Sequence, residues 1–456
     1  MSVSIGFISL GCAKNLVDSQ IMAGYLKERG FRLAESPETA DVILINTCAF
    51  IDIAREEAAE TILSACAHKN DGNCKAIVVT GCMVQRYRER MAEAFPDVDG
   101  FLGIDELDQV GVLVDAVLGS DTPLMLFEKG AAFKLFNPPY PTLLFTGGPF
   151  ANLRISEGCD HRCAYCSIPD IRGPFRSRNV IDICEEAFCL VQAGVKELNI
   201  ISQDTFNYGA DDKTNLPRLE ELISRIDSIE GDYWIRLLYG YPSGVTSELL
   251  EMLNDTNHIL RYLDLPIQHS HPDILRLMNR SHAVEATQDM AQRLRSVVPG
   301  LVLRTTCLVG FPGETDKHFE HLAEYVRRSK FDHLGVFAFS PEEGTPAYDM
   351  EDIPEIEIAE ERCSILMQIQ EEVVRNRLQD ELCGKTDKAL LLNKSEDSRW
   401  RGRLTRQAAE VDGETCISNV PSGFETGDFI NVRITGGRDY DLEADLVFMP
   451  EHNTPF

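Results

Sequence analysis

The sequence predicts an α/β protein in three parts: an N-terminal doubly wound α/β domain, a central partial (β/α)6 barrel and a small C-terminal antiparallel β-barrel. Three observations predict this fold class. Apolar β-rich runs alternate with helix-length segments over the first 120 residues, a longer βα series begins at Asn152, and short strands split by turn clusters follow residue 389. We expect the domains to span residues 3–120, 145–376 and 379–450.

The N-terminal part shows the alternation of a parallel sheet with crossover helices. Its strand-like runs are almost continuously apolar, which is typical of strands buried on both faces. Gly30 follows the first helix-like segment, where a glycine commonly ends a helix. The proline-rich residues 137–141 indicate a linker after this unit. The predicted elements, alternately strand and helix, lie at residues 4–10, 15–29, 41–47, 54–67 and 75–80.

The central part contains six strand-like runs, each separated from the next by a segment long enough for a helix. Six βα units over roughly 220 residues are too few for an eight-stranded barrel, so we expect an open or partial one. A long helix-like stretch over residues 355–382 follows and ends near Gly384. The predicted central strands lie at residues 153–156, 198–203, 234–239, 262–267, 301–309 and 334–339. The predicted C-terminal strands lie at residues 389–392, 402–407, 429–434 and 444–448.

The composition excludes several classes of protein. The 456 residues include 44 Lys plus Arg against 73 Asp plus Glu, a formal net charge of −29 at pH 7. Such an excess of negative charge argues against nucleic acid as a partner bound mainly through its phosphates, and it favours a basic macromolecule. No apolar run approaches the roughly 18 residues that a membrane helix needs, so no membrane partner is expected. Hydrophobic residues make up 44% of the chain, which excludes intrinsic disorder.

The cysteine content indicates the cellular compartment. Fourteen cysteines are too sparse for a small secreted disulfide scaffold, and the chain is too long for one. The first twelve residues carry no Lys or Arg, so a signal peptide is not indicated. We therefore expect a cytoplasmic protein whose patterned cysteines bind metal or take part in chemistry.

The strongest motif is a CxxxCxxC loop formed by Cys159, Cys163 and Cys166, just after the first predicted barrel strand. Three thiolates on one tight loop can hold three irons of a four-iron cluster and leave the fourth iron open. An open iron can chelate the amino and carboxylate groups of S-adenosylmethionine (SAM), and one electron then cleaves the sulfonium to a deoxyadenosyl radical. The alternative is a structural zinc knuckle with His161 as fourth ligand, although structural zinc sites close with CxxC pairs.

This loop resembles the signature of the radical SAM superfamily, with the aromatic Tyr165 before the third cysteine. The resemblance implies a central barrel of the radical SAM type. It also implies that Tyr165 and its backbone lie against the adenine of the cofactor, with ordinary core packing of the ring as the alternative.

A second cysteine pattern lies in the N-terminal part. Cys12, Cys48 and Cys82 each follow one of its three predicted strands. The carboxyl ends of parallel strands meet at one edge of an open α/β sheet, so the three thiols should converge there. We expect them to hold a second iron–sulfur cluster with an open iron, able to carry an exogenous sulfur atom. Buried cysteines that only pack are the alternative.

Together the two cysteine sets resemble those of the methylthiotransferases, and the resemblance covers nearly the whole chain. The family implies an N-terminal three-cysteine domain, a radical SAM core and a C-terminal RNA-binding-like barrel called TRAM, which is OB-like. It also implies two four-iron clusters per chain, with SAM as both radical source and methyl donor. Its members insert sulfur into an unactivated C–H bond and then methylate the sulfur.

In three features the sequence resembles one branch of that family. The enzymes of this branch modify an aspartate of the twelfth protein of the small ribosomal subunit. Residues 157–178 and 337–345 look like that branch rather than its tRNA-acting relatives, which usually carry a basic residue before the glycine of the second stretch. Residues 381–456 contain 9 Lys plus Arg against 14 Asp plus Glu. A barrel that grips RNA phosphates should be basic, so an acidic one is better suited to a Lys/Arg-rich ribosomal protein.

Further residues are expected to bind the cofactor beside Tyr165. Ser202 and Gln203 end a predicted barrel strand, and Gly310 lies in the family's strand-end motif. Arg304 is expected to pair with a carboxylate of the cofactor or the substrate. A structural ion pair for Arg304 and a tight turn at Gly310 are the open alternatives. Weaker candidates near strand ends are Asp204, Asp264, Gln268, His269 and His271.

Two other functions share the cysteine patterns. One is a tRNA adenosine methylthiotransferase, which differs only in its substrate. The other is a non-enzymatic iron–sulfur carrier, which would produce no deoxyadenosine from SAM. For the favoured function we expect three partners: the basic ribosomal protein, an electron donor such as flavodoxin or ferredoxin, and a sulfur donor.

Overall fold

A computed structural model of the chain describes residues 3–71, 74–120, 122–127, 133–138, 144–211, 218–256, 258–396 and 398–447. It confirms the predicted three-part architecture. Residues 139–141 of the predicted linker and residue 448 of the last predicted strand lie outside the described residues. Within the described ranges, no helix is both long enough and apolar enough to cross a membrane.

The N-terminal part is built on one sheet of parallel strands. These are β1 (Ser4–Ser9), β2 (Arg32–Leu33), β3 (Val42–Thr47), β4 (Ala76–Gly81), β5 (Gly100–Leu102) and β6 (Leu124–Leu126). Their order in the sheet is β2-β1-β3-β4-β5-β6. β3 and β4 are buried along their whole length, and Thr47 pairs with Gly81, so both strands end at the same edge. The sequence analysis missed β2, β5 and β6, because runs of two or three residues carry no periodicity.

Helices follow the strands of this sheet. They are α1 (Ala13–Glu28), α2 (Asp52–Asp71), α3 (Cys82–Tyr87), α4 (Arg90–Ala94) and α5 (Val110–Val117). α1 begins directly after Cys12, its N-cap residue, and α3 begins at Cys82. Two of the three N-terminal cysteines therefore lie where a strand turns into a helix.

The central part is an open parallel sheet, as expected for a partial (β/α)6 barrel. Its strands are β7 (Phe150–Arg154), β8 (Ser156–Glu157), β9 (Arg176–Ser177), β10 (Glu197–Ile201), β11 (Trp234–Leu237), β12 (Ile259–Asp264), β13 (Val302–Val309) and β14 (His333–Ala338). Six of them form the sheet in the order β14-β13-β12-β11-β10-β7, and β8 pairs with β9 as a short antiparallel ribbon. The cysteine loop lies within the segment that joins the two strands of this ribbon.

Helices flank the central strands in the order that βα units require. They are α6 (Ile168–Arg172), α7 (Val180–Gln192), α8 (Leu219–Asp227), α9 (Ser247–Asp255), α10 (Pro272–Leu277), α11 (Ala283–Thr287), α12 (Met290–Val297), α13 (Asp316–Ser329) and α14 (Ile356–Arg377). A π-helical turn at Leu378–Leu382 follows α14, so the predicted long helix ends in a change of helical pitch. Single 3₁₀ turns lie at Pro37–Thr39, Thr205–Asn207, Pro242–Gly244 and Pro346–Asp349, with a longer one at Ile104–Gln109.

The C-terminal part is a closed five-stranded barrel. Its strands are β15 (Thr386–Lys394), β16 (Trp400–Leu404), β17 (Thr415–Ser418), β18 (Phe429–Arg438) and β19 (Asp441–Leu446). The order around the barrel is β15-β16-β17-β19-β18, and all pairs are antiparallel except β17 with β19. The sequence analysis missed β17, because its four residues stand between two turn-rich segments.

One hydrophobic core joins all three parts. It contains Leu26 of α1, Trp234 of β11, Tyr262 of β12 and Leu390 of β15, all buried. Burial of apolar area stabilises their association by about 25 cal/mol per Å². The three parts therefore pack as one body.

The C-terminal barrel lies against the amino-terminal half of the central strands. There the carboxylate of Glu197 is 2.7 Å from Arg236 Nε and 2.5 Å from Arg403 of β16, with all three side chains buried. The N-terminal part packs against the carboxyl ends of the central strands. One cysteine set lies on each side of this contact.

Candidate active site

We call Cys159, Cys163 and Cys166 the barrel triad. They lie on the loop that follows β8, at the carboxyl end of the central sheet. The backbone N–H of Cys159 donates to the carbonyl of Gly173 at 3.1 Å, and that of Cys166 donates to the carbonyl of Cys163 at 3.0 Å. Gly158 has φ +81°, and a Cβ there would lie 2.1 Å from the carbonyl oxygen of Pro174, so only glycine fits before the first cysteine.

The environment of the barrel triad suits a metal cluster. Burial raises the pKa of Cys159 to about 12 and that of Cys166 further. Thiols with such pKa values need nearby positive charge to ionise, and iron supplies it. The guanidinium of Arg280 adds a smaller contribution, because its Nη1 is 3.7 Å from the Sγ of Cys163. The chemistry of this donor set therefore fits an iron–sulfur cluster.

We call Cys12, Cys48 and Cys82 the N-terminal triad. They follow β1, β3 and β4, which are adjacent parallel strands. The three cysteines therefore lie at the same edge of the sheet, as predicted. Cys48 and Cys82 are buried, and Cys12 is exposed. A Cβ on Gly11 would lie 2.6 Å from the Cβ and 3.0 Å from the Sγ of Cys48, so the loop before Cys12 packs directly on Cys48.

Asn15 joins the three loops of the N-terminal triad. Its Nδ2 donates to the carbonyl oxygens of Leu10 at 3.1 Å and Thr47 at 2.9 Å, and its Oδ1 accepts from Cys82 Sγ at 3.5 Å. Burial raises the pKa of Cys82 to about 12 and also raises that of Cys48. Like those of the barrel triad, these thiols stay protonated without nearby positive charge, and three of them at one sheet edge form a donor set that an iron cluster could use.

A buried charge network connects the two triads. Arg172, at the end of α6, donates to Cys82 Sγ at 3.3 Å and pairs with Asp18 of α1 at 2.8 Å. Arg154 of β7 pairs with Asp18 at 2.6 Å and with Glu157 at 2.7 Å. Every one of these charged side chains is at most 8% exposed. Paired and hydrogen-bonded charges of this kind resist separation of the two parts.

Gln203, predicted to bind the cofactor, is a partner of the cluster loop. Its Nε2 donates to Glu157 at 2.5 Å, and its Oε1 accepts from the backbone N–H of Gly158 at 3.0 Å. The structure thus places Gln203 beside the residue that precedes Cys159. Ser202 is fully buried and its hydroxyl has no hydrogen-bond partner among the described residues.

Tyr165 lies between the barrel triad and Arg280. Its hydroxyl accepts from Arg280 Nη1 at 3.4 Å, and its ring meets the edge of Phe311 at 6.4 Å between centroids. Burial raises the pKa of this hydroxyl. Arg280 also lies over the ring of Tyr241, 4.0 Å from its centroid, so one guanidinium links a cysteine and two aromatic rings.

In the part of the chain that the structure describes, four buried polar atoms on or just after the central strands have no hydrogen-bond partner. Besides the hydroxyl of Ser202, they are Asn152 Nδ2, Ser156 Oγ and Tyr241 Oη. Buried polar groups without partners are costly, so they indicate a place where a polar molecule binds. The amino, carboxylate and ribose groups of SAM fit such a lining.

Two predicted residues have partners within the protein. Arg304 lies 3.7 Å from Asp264 and 3.4 Å from Asp412 of the C-terminal barrel. Gly310 has φ +75°, and a Cβ there would lie 2.5 Å from the Cβ of Ala359 on α14. Packing against α14 accounts for the glycine, and cofactor contacts of Arg304 and Gly310 stay predictions.

The weaker candidates have local partners. His161 Nε2 is 2.6 Å from Asp204 Oδ2, so the imidazole considered as a zinc ligand is held by a carboxylate. His269 is fully buried, 3.7 Å from Glu314. The Nδ1 of His271 accepts the backbone N–H of Asp273 and caps α10.

Lys14 is a residue of the site that the sequence analysis missed. It is 7% exposed, and its ammonium lies 3.0 Å from the ring centroid of Tyr239, which follows β11. Burial lowers the pKa of Lys14 to about 8. The only sequence signal is its position two residues after Cys12.

Comparison with known families matches each part of the chain. Residues 4–103 match the model described as uncharacterized protein family UPF0004, residues 153–326 match the radical SAM superfamily, and residues 384–447 match the TRAM domain. The cysteine triads lie within the first two matches.

Similar proteins cover almost the full length. The ribosomal protein uS12 methylthiotransferase RimO of Acetivibrio thermocellus is 40% identical over 452 residues, 98% of this chain and 99% of that protein. The RimO of Symbiobacterium thermophilum is 41% identical, over 96% of this chain and 90% of that protein. The RimO of Clostridioides difficile is 39% identical, over 98% and 99%.

A solved structure shares the fold. The radical SAM methyltransferase TsrM from Kitasatospora setae, with cobalamin and a four-iron cluster bound, superimposes with a TM-score of 0.54 at 15% identity. The match covers 76% of this chain and 77% of TsrM. At this identity the likeness concerns the fold alone.

Fold, barrel triad and family matches together define a radical SAM enzyme that carries a TRAM barrel. SAM and a four-iron cluster are the cofactors of that class. From the full-length relatives, the chain belongs to the RimO family of radical SAM methylthiotransferases.

Proposed function

We propose that this enzyme methylthiolates the β-carbon of an aspartate in ribosomal protein uS12. The observation that carries the proposal is the buried contact between the segment that follows the barrel triad and Cys82 of the N-terminal triad. Arg172, six residues after Cys166, touches a ligand of the N-terminal triad, so two cysteine sites lie on opposite sides of one buried interface. The full-length relatives are ribosomal protein uS12 methylthiotransferases, which supports uS12 as the substrate.

The barrel triad is proposed to hold the cluster that activates SAM. When bound, that cluster would supply the electron for reductive cleavage of SAM, the source of a radical able to take a hydrogen atom from the substrate carbon. The chain's own contribution is positioning: Gln203 and Glu157 fix the start of the loop, and Arg280 holds Tyr165 beside Cys163. Tyr165, Ser202, Gln203, Arg304 and Gly310 remain proposed contacts of SAM.

The N-terminal triad is proposed to hold a second four-iron cluster, which supplies the sulfur. The support is the burial of Cys48 and Cys82 and the three loops tied together by Asn15. With three protein ligands, one iron stays free to carry an exogenous sulfur atom. A second SAM then supplies the methyl group.

Charge supports a basic protein substrate over tRNA. The chain carries a net charge of −29, and residues 381–456 contain more acidic than basic residues. An open cavity of about 980 Å³ on the C-terminal barrel is lined by side chains of both signs, including Arg401 and Glu414. A surface that grips phosphates would be predominantly basic.

Partners and location complete the proposal. The enzyme needs a reductant such as flavodoxin or ferredoxin, a sulfur donor and access to the ribosomal protein, which places it in the cytoplasm. The domain bounds 3–120, 145–376 and 379–450 are proposed as well, with β6 adding a strand to the first sheet beyond residue 120.

Anaerobic turnover with two substrates tests the proposal. The reconstituted enzyme is incubated with SAM and dithionite, with purified uS12 in one reaction and unmodified tRNA in the other, and both products are analysed by mass spectrometry. We expect a methylthio group on one aspartate of uS12 and none on tRNA. Cys163→Ala should abolish the product, whereas Cys189→Ala, at an exposed thiol outside both triads, should not. Modified tRNA with unmodified uS12 would assign the enzyme to the tRNA branch.

A further inference from the structure

Lys14 presents a buried cation that no carboxylate of the described residues pairs with directly. It lies in the first turn of α1, and only 7% of it is exposed. Its Nζ lies over the face of Tyr239, 3.0 Å from the ring centroid. Among the residues that the structure describes, Lys14 has no hydrogen-bond acceptor and no ion-pair partner.

The carboxylates nearest to Lys14 already have partners. Asp264 accepts the backbone N–H of Tyr239 at 3.1 Å and lies 3.7 Å from Arg304. Glu157 lies 2.7 Å from Arg154 and 3.3 Å from Arg172, and it also accepts from Gln203. Asp264, Glu157 and the sulfur of Cys12 attract the ammonium, but none of them forms a hydrogen bond or an ion pair with it.

A buried ammonium without a direct anionic partner is unfavourable, and the stacked ring and the surrounding charges offset only part of the cost. Sites of this kind become stable when an anionic ligand binds. Lys14 lies two residues after Cys12, opposite Tyr239 and Asp264, which follow or end central strands. It therefore borders the space between the N-terminal triad and the carboxyl ends of the barrel strands.

We propose that Lys14 binds the side-chain carboxylate of the substrate aspartate and so holds its β-carbon between the two triads. The inference rests on the proposed function. The carboxylate of SAM has the same chemistry, but it belongs beside the barrel triad, where Arg280 is the buried cation. Lys14 lies on the N-terminal side, where the sulfur must meet the substrate carbon. It acts as a specificity residue for aspartate over its neutral isostere.

Binding of two matched peptides tests the proposal. One peptide carries the uS12 sequence around the target aspartate, and the other has asparagine at that position. Their dissociation constants are measured by fluorescence anisotropy on the reconstituted holoenzyme with SAM present. The wild-type enzyme should bind the aspartate peptide roughly tenfold or more tightly, as expected for a charge-assisted hydrogen bond.

Three variants assign that preference to Lys14. Lys14→Met keeps the length of the side chain without its charge and should bind both peptides equally weakly. Lys14→Arg keeps the charge and should retain part of the preference, which also covers the case in which Lys14→Met does not fold. Lys27→Met, at an exposed lysine of the same helix, is the matched control and should behave as wild type. Iron content and SAM affinity should be unchanged in all three.

Retention of the aspartate preference in Lys14→Met would overturn the inference while leaving the proposed function intact. A loss of SAM affinity or iron in Lys14→Met, with the aspartate preference preserved, would also overturn the inference, because Lys14 would then serve the cofactor. A wild-type enzyme that neither binds nor modifies the aspartate peptide would overturn the proposed function itself, and this inference with it.

Discussion

Arg172 donates a hydrogen bond to the Sγ of Cys82 across 3.3 Å, although the two residues belong to different domains. Arg172 ends the short helix that follows the barrel triad, and Cys82 begins the helix after β4. The same guanidinium pairs with Asp18 and Glu157. One buried side chain therefore ties the loop of one triad to a ligand of the other.

Arg172→Gln should weaken the docking of the N-terminal part and change the reduction potential of its cluster. Removal of one partner from a buried ion-pair network costs about 3–5 kcal/mol of unfolding free energy. Loss of a hydrogen bond to the Cys82 sulfur should lower the reduction potential of the N-terminal cluster. Urea unfolding and potentiometric titration measure the two effects. Arg276→Gln removes an exposed ion pair and should change stability by less than about 0.5 kcal/mol.

Asn15→Ala should release iron from the N-terminal triad alone. The substitution leaves the carbonyl oxygens of Leu10 and Thr47 without their donor and frees the loops that carry the cysteines. Residues that orient metal ligands typically contribute about 10–100-fold in metal affinity. Iron retained after challenge with a chelator is the measurement, and it should fall toward half. Asn254→Ala, at a surface hydrogen bond, should retain all of it, and equal loss from both variants would contradict the role of Asn15.

Glu342→Gln should loosen the contact between the N-terminal and central parts. Its buried carboxylate pairs with Arg55 and with Arg86, the latter at 2.8 Å. Arg86 also donates to the carbonyl of Ala49, next to Cys48. We expect a loss of about 3 kcal/mol in unfolding free energy, because Arg86 and Arg55 lose the buried anion that they share and Arg55 keeps only its exposed partner Asp52. Glu343→Gln is the matched control, since that side chain is 63% exposed. Similar losses in the two variants would show that Glu342 does not join the parts.

His269 should make the stability of the fold depend on pH near neutrality. Its Nδ1 accepts the backbone N–H of His271 at 2.9 Å, and burial lowers its pKa. The unfolded chain therefore binds this proton more readily, and stability falls as the pH drops below the unfolded pKa of about 6.5. His269→Gln should reduce the slope of unfolding free energy against pH. Between about pH 7 and pH 5.5 the reduction should be at most about 1.4 kcal/mol per pH unit. An unchanged slope in His269→Gln would contradict the assignment.

Much of the architecture and the two cysteine sets could be predicted from the sequence, because strand length and strand-end position are local properties. Cys12, Cys48 and Cys82 were found because each follows a continuous apolar run, and parallel strands end at one edge. The short strands β2, β5, β6 and β17 could not be predicted, because they are held by neighbouring strands rather than by their own pattern.

The ion pairs that connect the two sites could not be predicted from the sequence. Arg154 and Asp18 are far apart in the chain, and only the packing of α1 against the central sheet brings them to 2.6 Å. A sequence signal existed for Arg154, since a charged residue inside a buried strand requires a partner. Glu342 lies in the stretch 337–345 that resembles the ribosomal branch of the family, and the structure gives its carboxylate an ion pair with Arg86 of the N-terminal part.

Iron analysis of the anaerobically reconstituted enzyme tests the central claim, that each triad holds its own four-iron cluster. We predict about eight irons per chain in the wild type, and about four after either triad is replaced by alanine. The two triple variants should also differ in their electron paramagnetic resonance signals, and only the variant that keeps the barrel triad should change its signal on addition of SAM. A wild-type value near four irons, or the loss of all iron on replacement of one triad, would contradict the two-cluster account.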